Sequence, residues 1–303
     1  MPPKIVIVAG PTGAGKSALA AKMASRFGGA IINADSLAFY RGFDVGSAKP
    51  TGAERAVAPH YLFDVVGPME PFTAQDFIDM ARPLIYELSG RGVLPLVVGG
   101  TGLYLRSLIQ GLFPGVGRDE SFRAELRERE RAGEDLYDAL LAADPLAASK
   151  LHRRDRARIA RALEVKRLTG ESLVKFQEEH GLAESAFEAL FLVLDWETEE
   201  LDRRLKLRVA RMLEEGLIEE TQALLRAGVP RDAKPMLAIG YKETAAYLAD
   251  EKTLPALQEE IYLRTRQLAK RQRTWFRGQA PEAVWIKPES ALAARLIASF
   301  LKK

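Results

Sequence analysis

The stretch Gly10-Pro11-Thr12-Gly13-Ala14-Gly15-Lys16-Ser17 decides the fold of this chain. It follows the apolar run Ile5-Val6-Ile7-Val8 and precedes an alanine-rich segment that reads as a helix. That is G-x-x-x-x-G-K-[ST] in its strand–loop–helix context, the signature of a phosphate-binding loop. The glycines let successive backbone N–H groups turn inward on a polyphosphate. Lys16 supplies a mobile positive charge, and Ser17 offers a hydroxyl to a magnesium ion. The loop alone leaves open whether the phosphate belongs to a nucleotide such as ATP or to another diphosphate.

Working outward, the pattern predicts a first strand over 4–9 and a first helix over 16–27. A short second strand, Ala30-Ile31-Ile32-Asn33, ends at Asp35-Ser36. Thr73 with Asp76 three residues on reads as a helix cap. A fully apolar third strand, Val93 to Val98, ends at Gly99-Gly100-Thr101-Gly102, and a helix runs from Leu103 to Ile109. Alternating strands and helices predict an α/β fold, a P-loop-containing parallel sheet flanked by helices. Ligands of such sheets sit beyond the carboxyl ends of the strands, where the loop, Asp35 and Thr101 all fall.

The character changes near Gly115. From Asp119 to about Gly181 the chain is charged, helical and poor in strands, and reads as an all-helical insertion. Leu190 to Leu194 returns as a strand feeding Asp195-Trp196, followed by amphipathic helices around 199–214, 217–227, 241–249 and 255–277 and an edge strand at Val284-Trp285-Ile286. The predicted organisation is a catalytic core of residues 1–115 and 188–303 around an insertion of 116–187, with no internal repeat.

Composition narrows the chemistry. The 303 residues are 47% hydrophobic, enough for a sizeable core. There is no cysteine, which excludes disulfides, thiolate metal sites and cysteine nucleophiles. Three histidines disfavour an all-protein zinc site. No apolar run approaches the roughly 20 residues of a membrane helix. Met1-Pro2-Pro3-Lys4 leads straight into the first strand, so a cytoplasmic protein without signal peptide is expected. The net charge of +3 is mild, and its distribution matters more.

Position alone leaves Asp35 as either a turn cap or a carboxylate facing the loop's ligand. An ordinary P-loop NTPase ends an apolar strand in Asp to hold magnesium, whereas Leu96-Val97-Val98 here ends in Gly-Gly-Thr-Gly. That departure argues against a routine ATPase and frees Asp35 for other work. The second glycine-rich turn either caps a helix through Thr101 or lets Thr101 reach an anionic substrate. Two basic segments stand out. In 150–167, Arg154, Arg158 and Arg161 recur at helical spacing. In 264–277, Arg266, Lys270, Arg273 and Arg277 share a face that ends at Trp275 and Phe276, with no acid in the segment. Both suit a polyanion, and the second suits stacking on unpaired bases.

With these residues in view, the chain resembles the tRNA dimethylallyltransferases, also called tRNA isopentenyltransferases. The resemblance rests on GPTGAGKS at 10–17, NADSLAFYRGFDVGSAKP at 33–50, PHYLFDV at 59–65, FTAQDF at 72–77 and LPLVVGGTGLYLRSL at 94–108. RIARALEV at 158–165, AIGYKE at 238–243 and TRQLAKRQRTWFR at 265–277 complete it. These blocks follow in order over nearly the whole chain. The resemblance implies a prenyltransferase that moves a dimethylallyl group from dimethylallyl diphosphate to N6 of an adenosine. That adenosine lies immediately 3′ of the anticodon, in tRNAs reading codons that begin with U. Gly10, Thr12, Gly13, Ala14, Gly15, Lys16 and Ser17, with Arg204 and Arg208, would then grip the diphosphate, magnesium joining at Ser17. Asp35 would take the N6 proton and Thr101 would contact the reacting centre. Ser36, Leu37 and Ala38 would line the entry of the base, which must leave the anticodon-loop stack. Arg123, Ala157, Arg158, Ile159, Ala160 and Arg161 in the insertion, and Leu237, Gly240, Tyr241 and Lys242 in the core, fall where the family touches the tRNA anticodon stem-loop. The resemblance also implies a monomer of bacterial type, since the eukaryotic zinc-finger extension is lacking. Other readings are a nucleotide or nucleoside kinase, an adenylate isopentenyltransferase acting on free nucleotide, and an RNA-binding protein with a relic phosphate loop.

Overall fold

The computed structural model describes residues 2–111, 117–175, 186–288 and 291–302. The chain divides into two compact units, Met1–Ile109 with Ala186–Lys303, and Gln110–Ser185. The boundary predicted near Gly115 and the last ten residues before Ala186 lie outside the described residues.

The first unit is built on six parallel strands: β1 (Lys4–Ala9), β2 (Gly29–Asn33), β3 (His60–Tyr61), β4 (Leu94–Gly99), β5 (Glu188–Leu194) and β6 (Val284–Ile286). Their order across the sheet is β3-β2-β4-β1-β5-β6. β1 lies between β4 and β5, with Val8 opposite Val98 on one side and Leu192 on the other. Such a strand is covered on both faces, which is why it reads as an unbroken apolar run. Alternate residues divide between two cores. Val6, Val8, Leu96, Val98 and Leu192 pack with Leu19, Ala20 and Met23 of α1 (Lys16–Phe27) and with the C-terminal helix. Ile5, Ile7, Val97, Phe191 and Val193 face the larger cluster on the opposite side.

That larger cluster is closed by several helices. They include α3 (Ala74–Gly90), α4 (Gly102–Gln110), α9 (Thr198–Glu214), α10 (Leu217–Arg226), α11 (Tyr241–Tyr247) and α12 (Leu254–Gln279), while α13 (Leu292–Lys302) covers the other face. Helix α3 starts at Thr73, whose hydroxyl accepts from the Asp76 N–H while the Asp76 carboxylate accepts from the Thr73 N–H. The two-residue β3 and the single-turn α2 (Gly52–Arg55) escape the sequence pattern because neither spans a full period of either regular structure.

The described residues of the second unit include the helices α5 (Glu120–Arg131), α6 (Leu136–Ala143), α7 (Pro145–Lys150) and α8 (Arg156–Thr169). Asp119, Asp135, Asp144 and Asp155 each stand at the N-cap and accept a backbone N–H, satisfying donors the first turn leaves open. Phe122, Leu126, Leu140, Ile159, Ala162 and Leu163 form a core separate from the sheet's. No helix among the described residues is long and apolar enough to cross a membrane.

Candidate active site

The turns at the carboxyl ends of β1, β2, β4 and β5 assemble one site. In the loop after β1, Gly13 and Gly15 adopt φ of 78° and 89°, a left-handed backbone that a side chain would strain. Lys16 folds back so that Nζ donates to the carbonyls of Gly10 at 3.1 Å and Pro11 at 2.9 Å. Enclosure by the protein lowers its pKa to about 8; Asp35 opposes that shift and Arg208 adds to it. Arg208 on α9 is pulled below its ordinary value by burial, against the attraction of Asp35. Lys16, Arg208 and Asp35 therefore face one cavity of about 430 Å³, whose wall also carries Lys49, Arg203, Arg204, Arg211 and Glu54.

Asp35 is held by its own turn. Its N–H donates to the Asn33 side chain at 2.9 Å, and its Oδ1 accepts from the Leu37 N–H at 3.0 Å. Asn33, buried, also donates to the carbonyls of Asp35 and Leu62. Thr101 Oγ1 accepts from the Ser36 N–H at 3.1 Å, so the turns after β2 and β4 are tied together.

Of the residues expected to hold the diphosphate, Thr12, Gly13, Gly15, Lys16, Ser17, Arg204 and Arg208 line the cavity. Gly10 and Ala14 are not part of that lining: both are buried, Gly10 lies against the Leu194 carbonyl, and the Ala14 N–H donates to the Pro11 carbonyl. Asp35 and Ala38 line the same cavity, whereas Ser36, Leu37 and Thr101 do not. Arg204 Nε donates to the Gly13 carbonyl at 3.0 Å with its guanidinium 4.8 Å over the Trp196 ring, and Trp196 donates to the Ala14 carbonyl at 3.1 Å. Arg204 thus braces the loop from behind as much as it faces the cavity.

Sequence reasoning passed over Trp196 and, above all, Gln272. From α12, Gln272 Oε1 accepts from the Thr12 N–H at 2.8 Å and Nε2 donates to the Gly100 carbonyl at 2.9 Å. One amide clasps both glycine-rich turns, and the Thr12 N–H is already occupied. The arginines of that helix meet acids from elsewhere: Arg264 with Glu243, Arg266 with Asp202, and Arg273 with Asp195, at 3.0, 2.8 and 3.0 Å. Phe276 is fully buried, and Trp275 packs on Gly102, where a Cβ would fall 2.2 Å from its ring. The expectation that Phe276 stacks on a base is corrected, since it is core, whereas Trp275 is half-buried against that core.

The expected tRNA contacts separate in the same way. Gly240, Tyr241 and Ile159 are buried and offer no side-chain surface, while Leu237, Lys242, Ala157 and Arg158 are exposed and Ala160 half-buried. Arg123 grips the fully buried Glu164 in two parallel bonds of 2.7 Å, and Arg161 reaches it at 2.6 Å. Burial pushes the Glu164 carboxyl up, but those bonds and the Asp119 N–H outweigh it and hold its pKa at about 2. Arg123 and Arg161 are committed to that carboxylate.

A phosphate loop at the carboxyl edge of a parallel sheet, with a glycine turn where an NTPase places its magnesium acid, defines a P-loop protein of a kind other than the ordinary ATPase. Comparison with known proteins carries this further. Residues 38–279 match the family model described as IPP transferase, and residues 3–64 match that of isopentenyl transferase. The chain is 47% identical to the tRNA dimethylallyltransferase of Geobacter sulfurreducens, over 94% of this chain and 92% of that one. It is 48% identical to the enzyme of the same name from Geobacter metallireducens, over the same shares. Among solved structures, it resembles the full-length tRNA isopentenylpyrophosphate transferase of Bacillus halodurans (TM-score 0.72, 36% identity, 99% of this chain and 95% of that chain). It also resembles a eukaryotic dimethylallyltransferase captured acting on tRNA (TM-score 0.77, 30% identity, 90% and 70%). The chain belongs to the IPP transferase family.

Proposed function

We propose that this protein transfers a dimethylallyl group from dimethylallyl diphosphate to N6 of the adenosine 3′-adjacent to the anticodon in tRNAs reading codons that begin with U. The products are N6-(dimethylallyl)adenosine and diphosphate. Dimethylallyl transfer to tRNA is the activity named for its relatives across the family. The observation that carries the reading at this site is the single cavity shared by Lys16, Arg208 and Asp35. There Lys16 and Arg208 are offered to a departing diphosphate and the Asp35 carboxylate to an attacking amine.

In the proposed reaction the allylic C–O bond breaks and its electron pair leaves on the diphosphate, where Lys16 and Arg208 neutralise the developing charge. The N6 lone pair forms the new C–N bond, and the N6 proton passes to Asp35. The exocyclic amine is a weak nucleophile, so placement by the tied turns of Asp35 and Thr101 contributes much of the rate. The donor set fits magnesium carried by the substrate: Ser17 presents an exposed hydroxyl oxygen at the cavity. Among the described residues no trio of His, Cys, Asp or Glu could hold a metal alone. Bound there with the diphosphate oxygens, the ion would add to the stabilisation of the leaving group. A cytoplasmic, monomeric enzyme is part of the proposal, on the family resemblance.

The test is incubation of the purified protein with radiolabelled dimethylallyl diphosphate, magnesium and unmodified tRNA, with AMP and ATP as parallel acceptors. Label in tRNA is the expected result. Label in free nucleotide alone would move the substrate to the adenylate class, and ATP turnover without label would point to a kinase.

A further inference from the structure

Glu220, in the first turn of α10, lies far in sequence from the phosphate loop and outside the cavity. Its carboxylate accepts three successive backbone N–H groups, from Asp44 at 3.0 Å, Val45 at 2.9 Å and Gly46 at 3.4 Å. Consecutive N–H groups converging on one point make an anion nest, and here the anion is the protein's own side chain. The fully buried Tyr241 completes the arrangement: its hydroxyl donates to Glu220 at 2.5 Å and accepts from the Gly46 N–H at 3.1 Å. Gly46 is needed for this approach, since a Cβ there would fall 2.3 Å from the Tyr241 ring.

The segment pinned this way continues directly into the cavity wall. Ser47, Ala48, Lys49 and Pro50 line it together with Lys16 and Arg208. The Ser47 carbonyl accepts from Arg208 Nη2 at 3.5 Å. Ala48 is held at φ 53°, a conformation that persists only where its surroundings impose it. Lys49, almost wholly buried, is tied to Asp44 at 2.7 Å and Asp64 at 2.5 Å. Loop 44–50 is thus fixed at one end by Glu220 and Tyr241, and at the other it presents a carbonyl to the guanidinium that faces the proposed diphosphate.

We propose that Glu220 and Tyr241 are positioning residues for the leaving group. By latching the N–H groups of 44–46 they hold the Ser47 carbonyl where it orients Arg208. Neither touches substrate. The inference rests on the diphosphate reading of the cavity given above. Glu220→Gln keeps the side-chain shape but turns an N–H₂ toward backbone donors, and Tyr241→Phe keeps the packed ring while removing both hydroxyl bonds.

The experiment is calorimetric titration of wild type, E220Q and Y241F with inorganic diphosphate and magnesium. It is paired with steady-state transfer to tRNA and with melting curves. E220Q is expected to weaken diphosphate binding about tenfold and to raise KM for dimethylallyl diphosphate by a similar factor, leaving KM for tRNA unchanged. Y241F should act in the same direction by about threefold. Folded E220Q that binds diphosphate as wild type does, or raises both KM values alike, overturns the proposal. If E220Q does not fold, Y241F with wild-type diphosphate affinity overturns it equally. Wild-type protein that transfers the prenyl group without binding diphosphate would leave the activity standing and remove the latch. Wild type inactive in both assays would remove the reading beneath it.

Discussion

Replacing Glu164 by Gln should loosen the helical unit at neutral pH and have almost no effect in strong acid. The carboxylate is fully buried and accepts from Arg123, Arg161 and the Asp119 N–H. Its pKa falls from an ordinary 4.5 to about 2. At about 1.4 kcal/mol per pH unit of displacement, ionised Glu164 contributes about 3 kcal/mol. This is the lower edge of what breaking a buried pair costs, as expected where Arg123 and Arg161 keep 27% and 32% of their side chains in water. The sign follows from the depressed folded-state pKa: the contribution is complete above about pH 4.5 and is lost as pH falls toward 2. Urea unfolding of the whole chain provides the assay. The three tryptophans, Trp196, Trp275 and Trp285, all lie in the first unit, so ellipticity lost at 222 nm without a change in tryptophan emission reports the helical unit. E164Q should lower that transition by about 3 kcal/mol at pH 7, with the gap closing between pH 4.5 and 2. Equal stability at pH 7, or a gap of constant size down to pH 2.5, would refute the reasoning.

Asp35→Asn should cut single-turnover prenyl transfer by about 10²- to 10⁴-fold while tRNA affinity by filter binding holds; an unchanged rate removes Asp35 as the base. Lys16 titrates at about 8, and its charge is present below that value. Diphosphate affinity should therefore fall as pH rises from 7 to 9.5, and a flat calorimetric profile would contradict the lysine's role. Gln272→Leu strands the Thr12 N–H and the Gly100 carbonyl, at about 1 kcal/mol each. A drop of about 30-fold in kcat/KM is expected, and a change within twofold would show the clasp to be incidental. Arg158→Ala removes an exposed cation from α8. The salt slope of tRNA binding should flatten by up to about one unit, and an unaltered slope would mark Arg158 as merely solvated.

The strand–loop–helix at 4–27 was readable because its signals are local: an apolar run, glycines at fixed offsets, and a helical period. Asp35 and Thr101 were readable as strand-end residues once the sheet was inferred to be parallel. What escaped was the scaffolding that reaches across the fold. Gln272 and Trp196 hold the phosphate loop from 260 and 182 residues away, and no local pattern distinguishes such a glutamine from a solvated one. The segment 264–277 shows the converse. It holds no acid of its own, so it read as a polyanion surface, yet Glu243, Asp202 and Asp195 supply the missing charges through space. Tyr241 and Arg123 fit the family pattern by position, but their surroundings, a buried tyrosine on Glu220 and a guanidinium on Glu164, depend on burial that sequence does not display.

The order β3-β2-β4-β1-β5-β6 has a consequence for how such a protein can change over generations. Gln110–Ser185 is spliced into the crossover that carries the chain from β4, on one side of β1, to β5 on the other. Crossovers are where an α/β sheet tolerates added length, because no ladder hydrogen bond runs through them. The four turns that frame the chemistry belong to strands that the splice leaves whole. The helical segment can therefore drift, lengthen or be exchanged without disturbing the edge where bonds are made, and a swap of 110–185 between relatives would be the natural way to transplant one property without the other.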